Sequence, residues 1–344
     1  MATKIPKAVV LELTYRCNHK CLFCSCPWYA PNSSYNKGRE LSLDEWQQAI
    51  LKLYNLEVET FSISGGEALL KENLAEILTY IREEGDKRGL HYPIVLISNG
   101  RIMNENWLLL LKKLDVQLSM SLPGYSTFAE HTQVDSADGV LYWFSKAKEI
   151  GVNVMVNVTV TKKNYKELFE TISLGLIHGA DGLLLNRFLP GGRGLEYIEE
   201  LSLSNEQLNG MLDTAEEILS LSNRYGHVGT EIAFCSILDP RKYKRLGIGY
   251  QCAAAKGFFV VGPSGEIRIC NHSPKIVGHI FAQNLITDVD YWNLFADSSY
   301  KPKGCSLCHR VSSCDCGCRE VAHIINGDAT GVDPSLRIRP VCRL

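Results

Sequence analysis

The chain has 344 residues, of which 45% are hydrophobic and 22% are charged, and its formal net charge at pH 7 is -2. This is the composition of an ordinary folded protein, and the length allows roughly two domains. No run of lysines and arginines resembles a nucleic-acid or membrane-docking patch, and no stretch of about 18 apolar residues is present. With no secretion signal, the sequence predicts a cytoplasmic protein without nucleic-acid or membrane partners.

Thirteen cysteines are the dominant feature of the sequence. Four lie between positions 17 and 26, none lies between 27 and 234, and nine follow from Cys235 onwards. Disulfides are disfavoured in a reducing compartment, so clustered cysteines there more often hold metal or do chemistry. The sequence therefore predicts two metal-bearing regions on either side of a cysteine-free middle.

The first predicted element is the strand "VVLEL" from Val9, which is followed by Cys17, Cys21 and Cys24 in a C-x3-C-x2-C spacing. Three thiolates leave a four-coordinate metal or a four-iron cluster one ligand short. A zinc site with His19 as the fourth ligand is the alternative, although structural zinc sites tend to use two paired C-x2-4-C halves.

Five further runs of apolar and β-branched residues predict buried parallel strands, which begin at Thr60, Ile94, Val116, Val152 and Gly182. Amphipathic segments between them predict helices, the first of which opens with a capping-box sequence. Six strand-helix units of about 30 residues imply right-handed crossovers and either a curved partial barrel or an open doubly wound sheet. In either architecture the chemistry belongs at the C-terminal ends of the strands.

The turn after the second predicted strand has the sequence "SGGE" from Ser64. Gly65 and Gly66 predict a close approach of the backbone to a ligand, and the carboxylate of Glu67 is suited to hold an ammonium group. Taken alone, the motif also fits simple loop chemistry with an acid favoured by the helix dipole. Its place beside the cysteine motif favours a ligand site.

These two motifs together resemble those of radical S-adenosylmethionine (SAM) enzymes. The resemblance implies that Cys17, Cys21 and Cys24 hold a 4Fe-4S cluster whose open iron is chelated by the amino and carboxylate groups of SAM. An electron from the cluster then breaks the sulfonium bond and gives methionine and a 5'-deoxyadenosyl radical, which abstracts hydrogen from a substrate.

The resemblance also implies a set of SAM-binding residues, namely Phe23, Ser64, Gly65, Gly66, Glu67, Asn99 and Ser121. Phe23 matches an aromatic position near adenine, and Asn99 lies in a "SNG" turn after the third strand. Two departures are Ala68, where a proline is common, and Pro123, where an acid is expected after Ser121. The stretch "RFLPGGRG" from Arg187 matches a loop of one subfamily, or is a simple Gly/Pro exit loop.

The C-terminal region matches the seven-cysteine pattern of the SPASM subfamily. A C-x12-G-x4-C arrangement on a predicted "PSG" hairpin and a C-x2-C-x5-C-x3-C run precede a last cysteine; the seven are Cys252, Cys270, Cys305, Cys308, Cys314, Cys318 and Cys342. The resemblance implies two auxiliary 4Fe-4S clusters, and so three in all with the SAM cluster. One set is Cys305, Cys308, Cys314 and Cys342; the other is Cys252, Cys270 and Cys318. A zinc ribbon is the alternative.

The fourth ligand of the Cys252 set is left open by the sequence. Cys235, Cys316 and a carboxylate are candidates, and a vacant iron that receives a substrate thiolate is a further one. Cys235 is favoured as the ligand, with a role as hydrogen-atom donor as its rival. Cys316 is predicted to be a bystander, and Cys26 a neighbouring free thiol.

The predicted fold is α/β: a partial (β/α)6 TIM-like barrel at 1–200, a bridging helical segment at 201–248 and a small cysteine-rich SPASM domain at 249–344. SPASM enzymes mostly modify peptides or proteins, so the resemblance implies a precursor peptide substrate, modified by cross-linking, thioether formation, oxidation or epimerisation, and an electron donor such as a flavodoxin or ferredoxin. Because only 16 residues precede Cys17, leader recognition is expected from a separate protein or the enzyme surface.

Two alternatives to a peptide-modifying enzyme stay open. One is a radical SAM enzyme that acts on a small molecule, such as an amino sugar or an amino acid. The other is a non-catalytic iron-sulfur or zinc protein. The amine-binding turn around Glu67 favours an enzyme, because an electron carrier has no need of it.

Overall fold

The structure is a computed structural model that describes residues 4–334. Its central feature is one open sheet of eleven strands in the order β11-β10-β9-β1-β2-β3-β4-β5-β6-β7-β8. The strands are β1 Ala8–Glu12, β2 Thr60–Ser64, β3 Ile94–Ser98, β4 Val116–Ser121, β5 Val154–Val160, β6 Gly182–Arg187, β7 Tyr225–Val228, β8 Leu246–Ile248, β9 Phe258–Val261, β10 Glu266–Arg268 and β11 Gly278–His279.

The described part of the chain has ten α-helices, most of which lie between successive strands. They are α1 Leu43–Asn55, α2 Leu74–Lys87, α3 Glu105–Lys113, α4 Phe128–Thr132, α5 Asp138–Ile150, α6 Leu168–Ile177, α7 Ile198–Leu201, α8 Asn205–Leu221, α9 Val289–Ala296 and α10 Arg319–Asn326. Helix α1 has the predicted capping box, in which Ser42 and Glu45 exchange hydrogen bonds. Within residues 4–334, no helix is both long and apolar enough to cross a membrane.

Strands β1 to β6 are parallel and follow one another in chain order, as the sequence predicts. In β5 the residues Val154, Val156, Val158 and Val160 are fully buried in the main core, and the alternate residues of the strand are half-buried on the opposite face. This is the two-residue period of a strand whose one face packs under helices. The prediction of an α/β fold with a partial barrel is confirmed.

Both edges of the six-stranded unit are extended. Strands β7 and β8 continue the parallel sheet beyond β6. The segment at 201–248, which the sequence predicts to be helical, contains α-helix only as far as Leu221. Sequence reasoning missed β7 because its four residues are mostly exposed and lack an apolar run. At the other edge β9 pairs in parallel with β1, and β9 and β10 form the predicted hairpin, with Gly265 at a φ of 90°.

A buried ion pair fastens this hairpin to the first strand. Arg268 of β10 is fully buried and donates to the carboxylate of Glu12, the last residue of β1. Arg268 also donates to the carbonyls of Asn271 and Ser273, both at 3.0 Å. Asn271 Nδ2 donates a 2.9 Å hydrogen bond to Glu12 Oε1. Burial raises the pKa of Glu12 and Arg268 opposes that rise, so the acid depends on its partner.

The variant Arg268→Met is expected to lower the free energy of unfolding by about 3–5 kcal/mol, because it leaves Glu12 buried without a cation. The matched control Arg39→Met breaks an ion pair with Glu45 in which Arg39 is 71% exposed, and it should cost much less because solvent screens that pair. Anaerobic chemical denaturation measures both. Equal losses in the two variants would contradict the argument.

Candidate active site

The predicted cysteine motif and the G-G-E turn form one packed unit at the C-terminal ends of β1 and β2. The last residues of these strands, Glu12 and Ser64, are register partners. Beyond them Gly66 N donates to Thr14 O and Glu67 N donates to Arg16 O, each at 2.8 Å. The turn therefore lies directly on the backbone that leads into Cys17.

The two glycines are required by this contact between loops. A Cβ atom at Gly66 would lie 2.2 Å from Arg16 O, and one at Gly65, whose φ is 149°, would lie 2.8 Å from Thr14 O. Both neighbours are backbone atoms and cannot move aside like a flexible side chain. The prediction gave a different reason, close approach to a ligand, whereas the structure shows close approach of one loop to the other.

Glu67 is buried, with 2% of its surface exposed, and its carboxylate is fixed by three donors. Oε1 accepts from Ser98 Oγ at 2.8 Å and from Leu69 N at 3.1 Å, and Oε2 accepts from Asn99 N at 2.7 Å. Burial raises the pKa of Glu67, and these hydrogen bonds oppose the rise. Because a carboxylate oxygen has two lone pairs, Oε2 keeps acceptor capacity for an ammonium group.

The third strand reaches the cysteine motif through Asn99. Its Nδ2 donates to Asn18 Oδ1 at 2.7 Å and lies 4.0 Å from Cys17 Sγ. Ser121 is the half-buried last residue of β4, the strand beside β3. Phe23 packs on the other side of the loop, with its ring 5.9 Å from that of His131. The structure thus joins Asn99 to the site directly and places Phe23 against α4.

The thiols of Cys17, Cys21 and Cys24 are close enough to affect one another. Burial raises the pKa of Cys17 to about 11 and that of Cys21 well above its usual range, and the thiolate charge of Cys24 adds to both shifts. Three neighbouring thiolates repel one another unless a metal supplies positive charge. Sulfur ligands of this kind suit an iron-sulfur cluster, so the residues fit the group that the motif implies.

Cys26 and His19 lie beside this set of thiols. The Cys26 thiol, half-buried in the chain, lowers the pKa of Cys24 to about 7 by hydrogen bonding. His19 Nδ1 lies 4.0 Å from Cys21 Sγ, and burial lowers the pKa of His19 to about 4. Among residues 4–334, no group of three or more His, Cys, Asp and Glu side chains is arranged to hold a single metal ion.

The Gly/Pro loop at 188–194 covers the cysteine motif. Arg193 Nη1 donates to Cys21 O at 3.0 Å, and Gly194 N donates to Cys24 O at 3.2 Å. Gly192 has a φ of 50°, and a Cβ atom there would lie 2.5 Å from Cys24 O. The loop is therefore more than an exit from β6, since its backbone packs on the carbonyls of the cysteine motif.

The second set of cysteines, here called the Cys252 group, consists of Cys252, Cys270 and Cys318. All three are buried, and burial raises the pKa of each thiol. Asp333 Oδ2 accepts from Cys318 N at 2.8 Å and from Arg187 Nη2 at 2.7 Å. Because Arg187 ends β6, this contact ties the group to the barrel.

The third set, here called the Cys305 group, consists of Cys305, Cys308 and Cys314; Cys342, its predicted fourth member, lies outside the described residues. Backbone N–H groups point at its sulfurs, with Arg310 N 3.4 Å from Cys308 Sγ and Phe234 N 3.4 Å from Cys314 Sγ. Hydrogen bonds to sulfur are one of the features that set the potential of an iron-sulfur cluster.

The structure places Cys235 beside the members of the Cys305 group. The sequence analysis favoured Cys235 as the ligand that completes the Cys252 group. In the structure Cys235 and Cys316 instead line a small cavity with the members of the Cys305 group. The physical reason is the path of the chain after β7, which carries Phe234 and Cys235 to the outer set of cysteines.

Several polar residues of these regions were not predicted. Asp315 is fully buried between two cysteines of the C-terminal run, pairs with Lys256 and Lys301, and accepts from Cys252 N at 2.7 Å. Asn157 and Asn186 join β5 to β6 across the inner face through a 3.0 Å hydrogen bond. The available signal was a polar residue inside an apolar or cysteine-rich run, which sequence alone does not distinguish from a surface position.

The chain is similar to known proteins. Residues 11–175 match the family profile of the radical SAM superfamily. PqqA peptide cyclase of Rhodopseudomonas palustris is 26% identical over 352 residues, covering 98% of this chain and 88% of the relative. AdoMet-dependent heme synthase of Methanosarcina barkeri is also 26% identical, covering 98% of each chain.

A solved structure has the same fold. Streptococcus suis SuiB bound to its precursor peptide SuiA superposes with a TM-score of 0.71 at 16% identity, covering 99% of this chain and 76% of that one. The family match begins in β1 and includes the cysteine motif and the G-G-E turn that the structure brings together. The chain is therefore an enzyme with a radical SAM domain at residues 11–175.

Proposed function

We propose that this enzyme is a peptide maturase of the SPASM type that binds SAM and three 4Fe-4S clusters. The observation that carries the SAM chemistry is the single contact network of Cys17, Glu67 and Asn99 at the ends of three neighbouring strands. When bound, the cluster and SAM together supply a 5'-deoxyadenosyl radical that abstracts hydrogen from the substrate.

The chain's own residues would bind and orient the cofactor. Cys17, Cys21 and Cys24 would hold the cluster, and Glu67 would accept the amino group of SAM. Because Ser98 and Asn99 fix both carboxylate oxygens of Glu67, its acceptor geometry exists before the cofactor binds. The other expected contacts are Phe23, Ser64, Gly65, Gly66 and Ser121. The Gly/Pro loop would keep water away from the thiolates.

The proposal of a peptide substrate rests on the relatives. The cyclase that spans nearly all of this chain is named for the peptide PqqA, and SuiB was crystallised with its precursor peptide. We further propose auxiliary clusters on the Cys252 group and on the Cys305 group with Cys342. The domains would be 1–200, 201–248 and 249–344. A flavodoxin or ferredoxin would supply electrons in the cytoplasm, and a separate protein would bind the leader.

A small-molecule substrate is the second candidate. It is favoured by the heme synthase relative, which matches this chain over 98% of both lengths. Both candidates need the same SAM site, so they differ only in the substrate that the enzyme binds. The substrate test below separates them.

The variant Cys17→Ala is expected to lose about four of about twelve irons per chain and to form no 5'-deoxyadenosine. Iron analysis after anaerobic reconstitution, followed by reduction and addition of SAM, measures both. Cys26→Ser, a change in the same loop outside the motif, should keep the full iron content. Bound zinc with little iron, or cleavage of SAM by the Cys17 variant, would contradict the proposal.

The variant Gly66→Ala is expected to weaken SAM binding by at least about tenfold, or about 1.4 kcal/mol. The added methyl group would overlap Arg16 O and displace the turn that carries Glu67. Gly139→Ala is the control, since an added Cβ there has no neighbour within 4 Å. Anaerobic equilibrium binding compares the two variants, and unchanged affinity in the Gly66 variant would refute the packing argument.

A deuterated peptide encoded beside the gene is expected to transfer deuterium to 5'-deoxyadenosine and to change its own mass in a SAM-dependent reaction. Mass spectrometry of both products measures this. The comparison set is an amino sugar, an amino acid and a heme-like tetrapyrrole under identical conditions. Transfer from one of these and none from the peptide would replace the first candidate by the second.

A further inference from the structure

Glu231 lies between two parts of the Cys252 group. Its Oε1 accepts a hydrogen bond from Ala253 N at 3.4 Å, and Ala253 directly follows Cys252. Its backbone carbonyl accepts from Arg187 Nε at 3.2 Å and from Arg187 Nη2 at 3.1 Å. The residue is thus held against the Cys252 loop by its side chain and against the end of β6 by its backbone.

The same arginine connects Glu231 to the other side of the group. Arg187 Nη2 pairs with Asp333 Oδ2 at 2.7 Å, and this oxygen accepts from Cys318 N at 2.8 Å. This network joins Glu231 to the loop of Cys252 on one side and, through Arg187 and Asp333, to the backbone of Cys318 on the other.

The other acids near this group are already engaged. Asp315 accepts from Cys252 N and Tyr300 and pairs with two lysines. Asp333 is held by Arg187 and Cys318 N, as described above. Glu320 is buried and accepts a 2.8 Å hydrogen bond from Tyr291. In the part of the chain that the structure describes, only the long bond from Ala253 N reaches the Glu231 carboxylate from another residue.

The two cysteines that could compete for this position lie elsewhere. Cys235 and Cys316 line the cavity of the Cys305 group, and Cys316 sits beside Cys314, to whose sulfur its N–H points at 3.4 Å. A carboxylate is an accepted ligand of iron in proteins, although a harder one than thiolate. It also provides the negative charge that a fourth cysteine would otherwise supply.

We propose that Glu231 is the fourth protein ligand of the iron-sulfur cluster held by Cys252, Cys270 and Cys318. This inference rests on the proposed function, because it needs that cluster to be present. Its consequence is that the cluster has no open iron to bind a substrate group. The role of the cluster is then electron transfer, with a potential set partly by the oxygen ligand.

The test uses the full chain with Cys17, Cys21 and Cys24 changed to Ala, so that only auxiliary clusters are observed after anaerobic reconstitution. In this background the variants are Glu231→Ala, Glu231→Gln and Glu231→Cys, with Glu320→Gln as the control at another buried acid of the same region. A reference variant carries Cys252→Ala, Cys270→Ala and Cys318→Ala. The readouts are iron per chain, 57Fe Mössbauer spectra and EPR spectra.

Glu231→Ala and Glu231→Gln are expected to release one iron on mild oxidation and to give a three-iron EPR signal absent from the parent. Glu231→Cys should keep four irons at this site with a shifted EPR spectrum and a Mössbauer spectrum of uniform sulfur ligation, which shows that the fold is intact. Glu320→Gln should match the parent. Spectra of Glu231→Ala and Glu231→Gln that are identical to the parent would overturn the assignment.

The reference variant separates failure of this inference from failure of the proposed function. It should lose about four irons relative to the parent. If it loses none, the Cys252 group holds no cluster. That result would refute both the auxiliary cluster in the proposed function and the role of Glu231 as its ligand. If it loses them while the Glu231 variants match the parent, only the ligand assignment falls.

Discussion

The contact between the G-G-E turn and the backbone before Cys17 is the constraint on which the site depends. Two backbone hydrogen bonds at 2.8 Å and the absence of side chains at Gly65 and Gly66 let the loops after β1 and β2 touch. This contact places the backbone of Glu67 directly on the loop that leads into Cys17. The Gly/Pro loop after β6 also contacts the cysteine motif, since Arg193 donates a hydrogen bond to the carbonyl of Cys21.

Buried acids connect the cysteine-rich region to the barrel. Glu12 pairs with Arg268 of the hairpin, Asp333 pairs with Arg187 at the end of β6, and Asp315 bridges the chain between the Cys252 and Cys305 groups. Each acid is nearly free of solvent contact and is held by a buried cation or by backbone N–H groups. These pairs join the cysteine-rich region to strands β1 and β6.

The sequence predicted the six parallel strands because each buried strand contains a run of apolar residues. Such a run can be recognised in the sequence alone. It failed for β7, whose exposed residues carry no such pattern. It favoured Cys235 for the Cys252 group, whereas in the structure Cys235 lines a cavity with the Cys305 group, since distance along the chain does not report which of two neighbouring cysteine sets a loop will reach. The sequence analysis included a carboxylate among the candidates for the fourth ligand of the Cys252 group, but it did not name Glu231.

The sequence by itself determined the chemistry. The cysteine spacing, the glycine pair and the acid that follows it are local patterns, which can be recognised without knowledge of the fold. It also determined the α/β class, because helical and strand periods differ. Only the tertiary structure decided which groups meet. The reason is that hydrogen bonds such as those from Asn99 to Glu67, and from Arg187 to Asp333 and Glu231, join residues from 32 to 146 positions apart. Such contacts form only when the sheet has brought the ends of its strands together.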